Sequence, residues 1–346
     1  MEKISIIGLD LAKQVFQVHA ADATGRCLLR KQLKRREVLA FFAKLAPCVV
    51  AMEACGTAHY WAREIAKIGH EVRLVPPAYV KPYVKRGKND IIDAEAICEA
   101  AGRPSMRFVP VKSMEQQSLA MLHRSRDLLI KNRTMLVNAL RSHLAEFGFV
   151  AAKGIGKLPD LIEIVAAAPK AALPDMVRPA LSGLLDAIAL VNAQLGSIEK
   201  QLMAWHKTNP QSKRLDTAPG IGLIGATALC ALVPDPSLFK NGRHLAAWLG
   251  LVPKQDGTGG KTRLGRISKA GDRYLRRLLV LGATSLLRSL KNKTTALALW
   301  VQGLLARRSK RAVTVALANK LARIAWAIMA KGEAYKPLAA AQAVSL

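Results

Sequence analysis

Five short apolar runs in the first 75 residues constrain this chain more than any other feature. Residues 4–9 (ISIIGL), 14–20 (QVFQVHA) and 27–33 follow one another with only turn signals such as Asp22 and Gly25 between them, so they predict three strands in succession. From residue 37 the period changes. Helical patterns at 37–46 and about 57–68 alternate with apolar runs at 48–52 (CVVAM) and 71–75, Pro76 and Pro77 end the last run, and a further helix opens near Asp90. The order βββαβαβα predicts an α/β domain, a mixed sheet with helices on its faces.

Acids fall at chosen places in that layout. Asp10 ends the first strand and Glu53 the fourth, at the carboxyl edge where α/β sheets place their sites. Asp90 and Asp93 lie three residues apart in KRGKNDIIDAEAI (85–97), at a helix start, where such side chains share a face and acids favour the positive end of the dipole. Two carboxylates held this way repel. Either one keeps its proton to higher pH, or a hard cation such as Mg²⁺ settles between them and partner acids. A solvated, acid-rich helix start accounts for the stretch taken alone. The positions of Asp10 and Glu53 let all four acids meet.

The formal net charge of +29, from 53 basic and 24 acidic residues, points to a polyanion as working partner. Residues 206–346 hold 24 Lys or Arg against 5 Asp or Glu, which weights the nucleic-acid surface to the C-terminal part. A membrane role is disfavoured: the opening MEKISIIGLD is no signal peptide, and Lys320 and Arg323 interrupt the apolar segment 312–330. The expectation is a soluble cytoplasmic protein. Five widely spaced cysteines without a CxxC pair predict neither a disulfide framework nor a zinc site.

Beyond the sheet, a long helical pattern runs from Lys112 to Phe147. After a Gly/Pro-rich break, Leu184, Ile188, Val191, Leu195, Ile198, Leu202 and Trp205 recur at alternating steps of four and three, a coiled-coil seam that suits a helical hairpin or a dimer contact. Pro219-Gly220-Ile221-Gly222 sits between two helical runs, as in a helix-hairpin-helix that can hold a phosphate on backbone N–H groups, or in a plain tight turn. Gly257, Thr258, Gly259 and Gly260 predict a flexible loop set among Lys254, Lys261, Arg263, Arg266, Lys269, Arg273, Arg276 and Arg277, and a hydroxyl so surrounded is placed to meet a phosphate. GGKT at 259–262 is not a P-loop, because Gln255 stands where the motif needs its first glycine.

GLDLAK around Asp10, MEACGTAHYW around Glu53, KNDIIDAEAI with Asp90 and Asp93, PGIG at 219–222 and GLVPKQDGTGGKTRLGRISKAGDRYLRR at 250–277 together resemble, in order and nearly end to end, the DEDD insertion-sequence transposases. That family includes Piv-type DNA invertases and recombinases guided by a bridge or seek RNA. The resemblance implies a RuvC-like (RNase H fold) DEDD domain at 1–110, a long-helix and coiled-coil region at 111–206, and a mainly α transposase domain at 207–346. It implies Mg²⁺ on Asp10, Glu53, Asp90 and Asp93, with double-stranded DNA and a structured guide RNA as partners. It also implies a homo-oligomer, dimer or tetramer, whose acids and hydroxyl nucleophile come from different subunits. The family's nucleophile is a serine before glycine; Thr258, before Gly259, occupies that position here, a bulkier secondary alcohol. Ser268 is the alternative hydroxyl, and otherwise a helix-start cap. Strand exchange without ATP must conserve phosphodiester energy, which a covalent protein–DNA ester does. The same acids acting with water would make a junction-resolving nuclease. A packaging protein with purely structural acids is the reading from another class.

Overall fold

The computed structural model describes residues 3–84 and 89–337, so Lys85 to Lys88, which open the acid-bearing stretch, lie outside the described residues. The chain divides into two compact units, Met1–Met114 and Glu115–Leu346.

In the first unit all five apolar runs form strands: β1 (Ile6–Asp10), β2 (Val15–Ala21), β3 (Cys27–Lys34), β4 (Val49–Glu53) and β5 (Glu71–Val75). They build one mixed sheet in the order β3-β2-β1-β4-β5, with β1, β4 and β5 parallel and the β1-β2-β3 meander antiparallel. Helices α1 (Val38–Phe42), α2 (Ala58–Lys67), α3 (Pro77–Val80) and α4 (Asp90–Ala101) fill the connections.

Strand parity decides which residues meet which helix, because successive side chains leave a strand on opposite faces. Ile7 and Leu9 of β1 and Val50 and Met52 of β4 join Phe16, Phe42, Trp61 and Ile65 in one core layer. Ala51 of β4, with Ile6 of β1 packed beside it, belongs to the opposite layer, with Ala96, Ile97 and Ala100 of α4. By the same alternation Gly8, Asp10 and Glu53 face the α4 side.

There α4 lies almost on the strand. A Cβ on Gly8 would stand 2.1 Å from the Ala94 carbonyl oxygen and 2.7 Å from the Cys98 nitrogen. Ala94 and Cys98 are one turn apart on α4, and Asp90 precedes Ala94 by one turn on the same row. Asn89 fixes the helix start, its side chain accepting a hydrogen bond from the Ile91 N–H at 3.0 Å.

The second unit is mainly helical. The long pattern after Lys112 is α5 (Met114–Ala145), and after α6 (Leu158–Ala167) the heptad run forms α7 (Arg178–Thr208). The seam is covered within the chain, as a helical hairpin. Ile188 packs with Val137, Leu140 and Leu144 of α5, and Leu202 packs with Leu119 and Ala120. Arg126 to Glu199 and Arg133 to Asn192 fasten the same two helices.

Helices α8 (Pro210–Asp216), α9 (Leu223–Leu232), α10 (Gly242–Trp248), α11 (Arg273–Ser289) and α12 (Ala296–Leu305) surround α13 (Lys310–Lys331), whose Val313, Leu317, Leu321, Ala325 and Ile328 are buried in the core. Residues 175–208 and 310–331 are long and apolar enough to cross a membrane by length and composition, but α13 spends its apolar side on this core. The Pro219–Gly222 turn joins α8 to α9 and serves packing: a Cβ on Gly282 of α11 would stand 2.0 Å from the Gly220 carbonyl oxygen.

Gly8→Ala tests the seat of α4. The new methyl must push α4 away by more than an ordinary contact allows, so the first unit should lose about 1–3 kcal/mol in urea melts, as overpacked cores do. Gly56→Ala, where nothing lies within 4 Å, should be neutral. Equal stability of the two variants would show that α4 is not seated on Gly8.

Candidate functional site

Asp10 is the last residue of β1 and Glu53 the last of β4; the two parallel strands run in register from Ile6 opposite Val49 to Leu9 opposite Met52, so the acids follow side by side. Asp90 and Asp93 descend onto the same edge from the first turn of α4. One carboxylate oxygen each from Asp10, Asp90 and Asp93 forms a group whose members all lie within 4.8 Å of one another. Glu53 stands outside that triplet but near enough for Asp93 to act on it.

The electrostatics follow from burial and crowding. Desolvation, then the Asp93 and Asp90 charges, push the Asp10 carboxyl up from 3.8 to about 6, against a hydrogen bond from the Leu11 N–H and with a smaller push from Glu53. Burial and the Asp93 charge raise Glu53 in the same direction. Among the described residues no Lys or Arg forms an ion pair with any of the four acids. Converging, unneutralised oxygen donors are what a hard divalent cation requires, and a thiolate or imidazole metal would find none of its preferred ligands in the triplet.

The glycine-rich stretch is not the flexible loop that its composition suggests. Residues 253–267 form an antiparallel hairpin of β6 (Pro253–Thr258) and β7 (Lys261–Ile267), turned by Gly259 and Gly260 at φ +56° and +77°. Two positive φ values match a tight turn to the right-handed twist of the strands, which only a pair such as Gly-Gly accepts readily. A GG pair between polar, alternating runs was the available signal for it. Thr258 ends β6 opposite Lys261, two residues on from the Asp256–Arg263 pair, so Thr258, Lys261, Asp256 and Arg263 share one face. Both faces of the hairpin are exposed.

Its root is held tightly. A Cβ on Gly271 would fall 1.8 Å from the Trp248 carbonyl oxygen and one on Gly250 2.4 Å from that of Ala270, both at positive φ. Arg276 bridges the two strands' roots, donating from Nη1 to the Leu249 and Ala270 carbonyls at 2.8 and 2.7 Å. Arg276 therefore clasps the hairpin, and Arg277 is paired with Asp127 of α5, whose carboxyl is held below the usual range. Lys254, Lys261, Arg263, Arg266, Lys269 and Arg273 are exposed. Ser268 does not cap a helix: its Oγ accepts the Ala270 N–H at 3.4 Å, and Asp272 caps α11 by accepting from the Leu275 N–H at 2.7 Å. Asn before the acid pair is a capping signal for α4, whereas nothing local in the sequence marks Gly8 as its seat or Arg276 as a clasp.

The raised Asp10 yields a sign. The folded chain keeps that proton up to about pH 6 whereas an unfolded aspartate releases it near 3.8, so folding takes up a proton between these values. Cation-free stability should fall as pH rises from about 4 to about 6 and then level off. Millimolar MgCl₂ near neutral pH should restore it, by about 2.7 kcal/mol if the cation is at a hundredfold its dissociation constant. Asp10→Asn should stabilise the cation-free protein near neutral pH and remove the Mg²⁺ increment. An Asp10→Asn protein that melts lower and still responds to Mg²⁺ would refute the site.

Comparison with known proteins gives the same outline. A family model described as "Transposase", of the DEDD IS110 type, matches residues 7–149, and one described as "Transposase IS116/IS110/IS902 family" matches residues 212–298. A "Probable family 20 transposase" of Pseudomonas aeruginosa is 51% identical over 96% of this chain and 99% of its own length. The transposase for insertion sequence element IS1328 of Yersinia enterocolitica is 41% identical over 97% of this chain and 99% of its own. The corresponding protein for IS1111A of Coxiella burnetii is 40% identical over 97% and 92%. The acids of the first match lie on the sheet edge and the hairpin lies inside the second; this chain belongs to the IS110/IS116/IS902 family of insertion-sequence transposases.

Proposed function

We propose that the chain is a DNA transposase that cuts and rejoins strands through a covalent hydroxyl–phosphate ester, with a RuvC-like first unit whose acids hold Mg²⁺. The observation that carries this reading is that one carboxylate oxygen each from Asp10, Asp90 and Asp93 lies within 4.8 Å of the others, with no ion-pair partner for them among the described residues. Bound there with Glu53 beside it, the cation would supply Lewis-acid stabilisation of charge on phosphate oxygens and lower the pKa of an attacking alcohol.

The chain's own residues divide the remaining work. Thr258 Oγ attacks a phosphodiester, a new Oγ–P bond forms as one P–O bond to a deoxyribose breaks, and the Oγ proton leaves as the departing oxygen gains one. A deoxyribose hydroxyl from the second strand reverses the step, so the ester's energy is kept and no ATP is needed. Lys261 and Arg263 share the Thr258 face and are placed to neutralise the phosphate as it becomes pentacovalent. Clasped at its root and exposed at its tip, the hairpin offers Thr258 to a partner rather than to its own core.

The partners in this reading are double-stranded DNA at element ends and target, and a structured guide RNA that selects them, in the cytoplasm. The working form is an even-numbered homo-oligomer, dimer or tetramer. The self-covered seam of α7 leaves assembly to other surfaces or to a coiled coil built on the hairpin's remaining faces.

The expected results separate the chemistry from packing. Thr258→Val keeps the shape and removes the oxygen; DNA should still bind, since phosphate contacts carry most of the affinity, while no denaturation-resistant adduct forms. Thr258→Ser should keep or raise activity. Asp10→Asn, Glu53→Gln, Asp90→Asn and Asp93→Asn should each abolish recombination. An adduct surviving in Thr258→Val and lost in Ser268→Ala would move the nucleophile, and free nicks without adduct would make the chain a water-using nuclease. Sequencing copurified RNA should return one structured species encoded beside the element; random RNA would remove the guide.

A further inference from the structure

From Arg273 to Gly332 the chain carries 13 Lys or Arg and not one Asp or Glu. Some of these cations are engaged: Arg276 on two carbonyls, Arg277 on Asp127, and Lys320 over the Trp300 ring at 4.4 Å. The densest group lies elsewhere, in the connection between α12 and α13, where Arg307, Arg308, Lys310 and Arg311 crowd into five residues. All four are exposed, and none has an ion-pair partner among the described residues. The matched family model ends at residue 298, short of this connection.

A solvated face normally mixes both signs of charge, since like charges repel. Here the backbone adds to the imbalance. Arg307 and Arg308 follow the negative end of α12, but Ser309 caps α13, accepting from the Ala312 N–H at 3.4 Å, so Lys310 and Arg311 occupy the first two positions of a 22-residue helix. That is the end where the dipole favours acids and opposes cations. The fold thus concentrates cations at one corner against its own electrostatics, and a polyanion offsets that cost.

We propose that this corner, Arg307, Arg308, Lys310 and Arg311, is a second phosphodiester-binding surface, separate from the hairpin. The proposal rests on the reading of the chain as a protein that acts on nucleic acid. Duplexes present one charge per ~1.7 Å of axis, so each side chain can find its own phosphate. An anionic membrane is the weaker partner, because surface helices bind bilayers by burying an apolar face and α13 has buried its own in the core.

The test uses the full chain carrying R307Q, R308Q, K310Q and R311Q together, against a charge-matched control with K3Q, K44Q, K153Q and K207Q. Affinity for a DNA duplex and for a hairpin RNA is measured across a salt series, and vesicles of phosphatidylserine and phosphatidylcholine are assayed in parallel. For the duplex the corner variant should flatten the log K against log salt slope by about 2–4, at roughly 0.9 per phosphate lost, with the control nearly unchanged. A flattened slope on DNA, on RNA or on both supports the surface and names the strand it holds. A slope equal to the wild type on both, or a loss confined to vesicles, overturns it. A flat slope in the wild type itself would instead sink the broader nucleic-acid reading.

Lys310→Glu separates binding from folding. An acid at that helix start should raise the melting temperature by about 1–3 °C while affinity falls. Affinity lost together with a lowered melting temperature would make the corner structural and overturn the proposal.

Discussion

The approach of α4 onto β1 at Gly8 is the contact on which the rest of the acid cluster depends. Only a residue without Cβ lets the Ala94 carbonyl and the Cys98 backbone come so close to the strand. The small residues of DIIDAEAICEAA extend that seat along the sheet, and Asn89 sets where the helix begins. With the helix seated and its start capped, the backbone holds Asp90 and Asp93 at the edge that bears Asp10. Burial first, and then the Asp93 charge, with Asp90 adding to it at Asp10, raise the Asp10 and Glu53 carboxyls. An acid cluster that is electrostatically unfavourable, and held by packing that does not depend on relieving the repulsion, is a preorganised one.

The second unit solves a different problem with the same means. A two-stranded hairpin exposed on both faces has little of its own to hold it. Its stability must enter through the root, where Gly250, Gly271 and the two carbonyls on Arg276 lock the strands to α10 and α11. Further inside, Arg277 pairs with Asp127 of α5, and the buried His123 meets the Tyr274 hydroxyl at 3.0 Å. Burial, and to a smaller degree the Arg126 charge, lower His123 to about 4, so it is neutral in that network at physiological pH. The helix that carries the hairpin is thus fastened to the longest helix of the unit.

Much of this was legible residue by residue. The five strands stand within two residues of the apolar runs, and the strand-end positions of Asp10 and Glu53 follow from counting by twos. The heptad run of α7 was legible as a seam, though its partner was not: the same stripe suits a second chain or α5, and which one covers it depends on where α5 runs. The hairpin departs from the flexible loop that its glycine content suggests, because Gly259 and Gly260 form a tight turn between two paired strands. Arg276 looks like its cationic neighbours in the sequence, because nothing in RYLRR distinguishes the arginine that turns inward from those that stay in solvent.

The sequence by itself determined the strand and helix periods, the side of the sheet on which each acid emerges, the excess of positive charge and its weighting to the C-terminal part. These are properties of a few consecutive residues, set by backbone geometry and composition. The tertiary structure alone decided how closely α4 approaches Gly8, that α5 covers the seam of α7, and which arginines are consumed by carbonyls or by Asp127 and which remain exposed on the hairpin and the α12–α13 corner. Those outcomes join residues tens to more than a hundred positions apart, and they depend on which surfaces bury one another, a competition among the whole chain's apolar faces that no local pattern encodes.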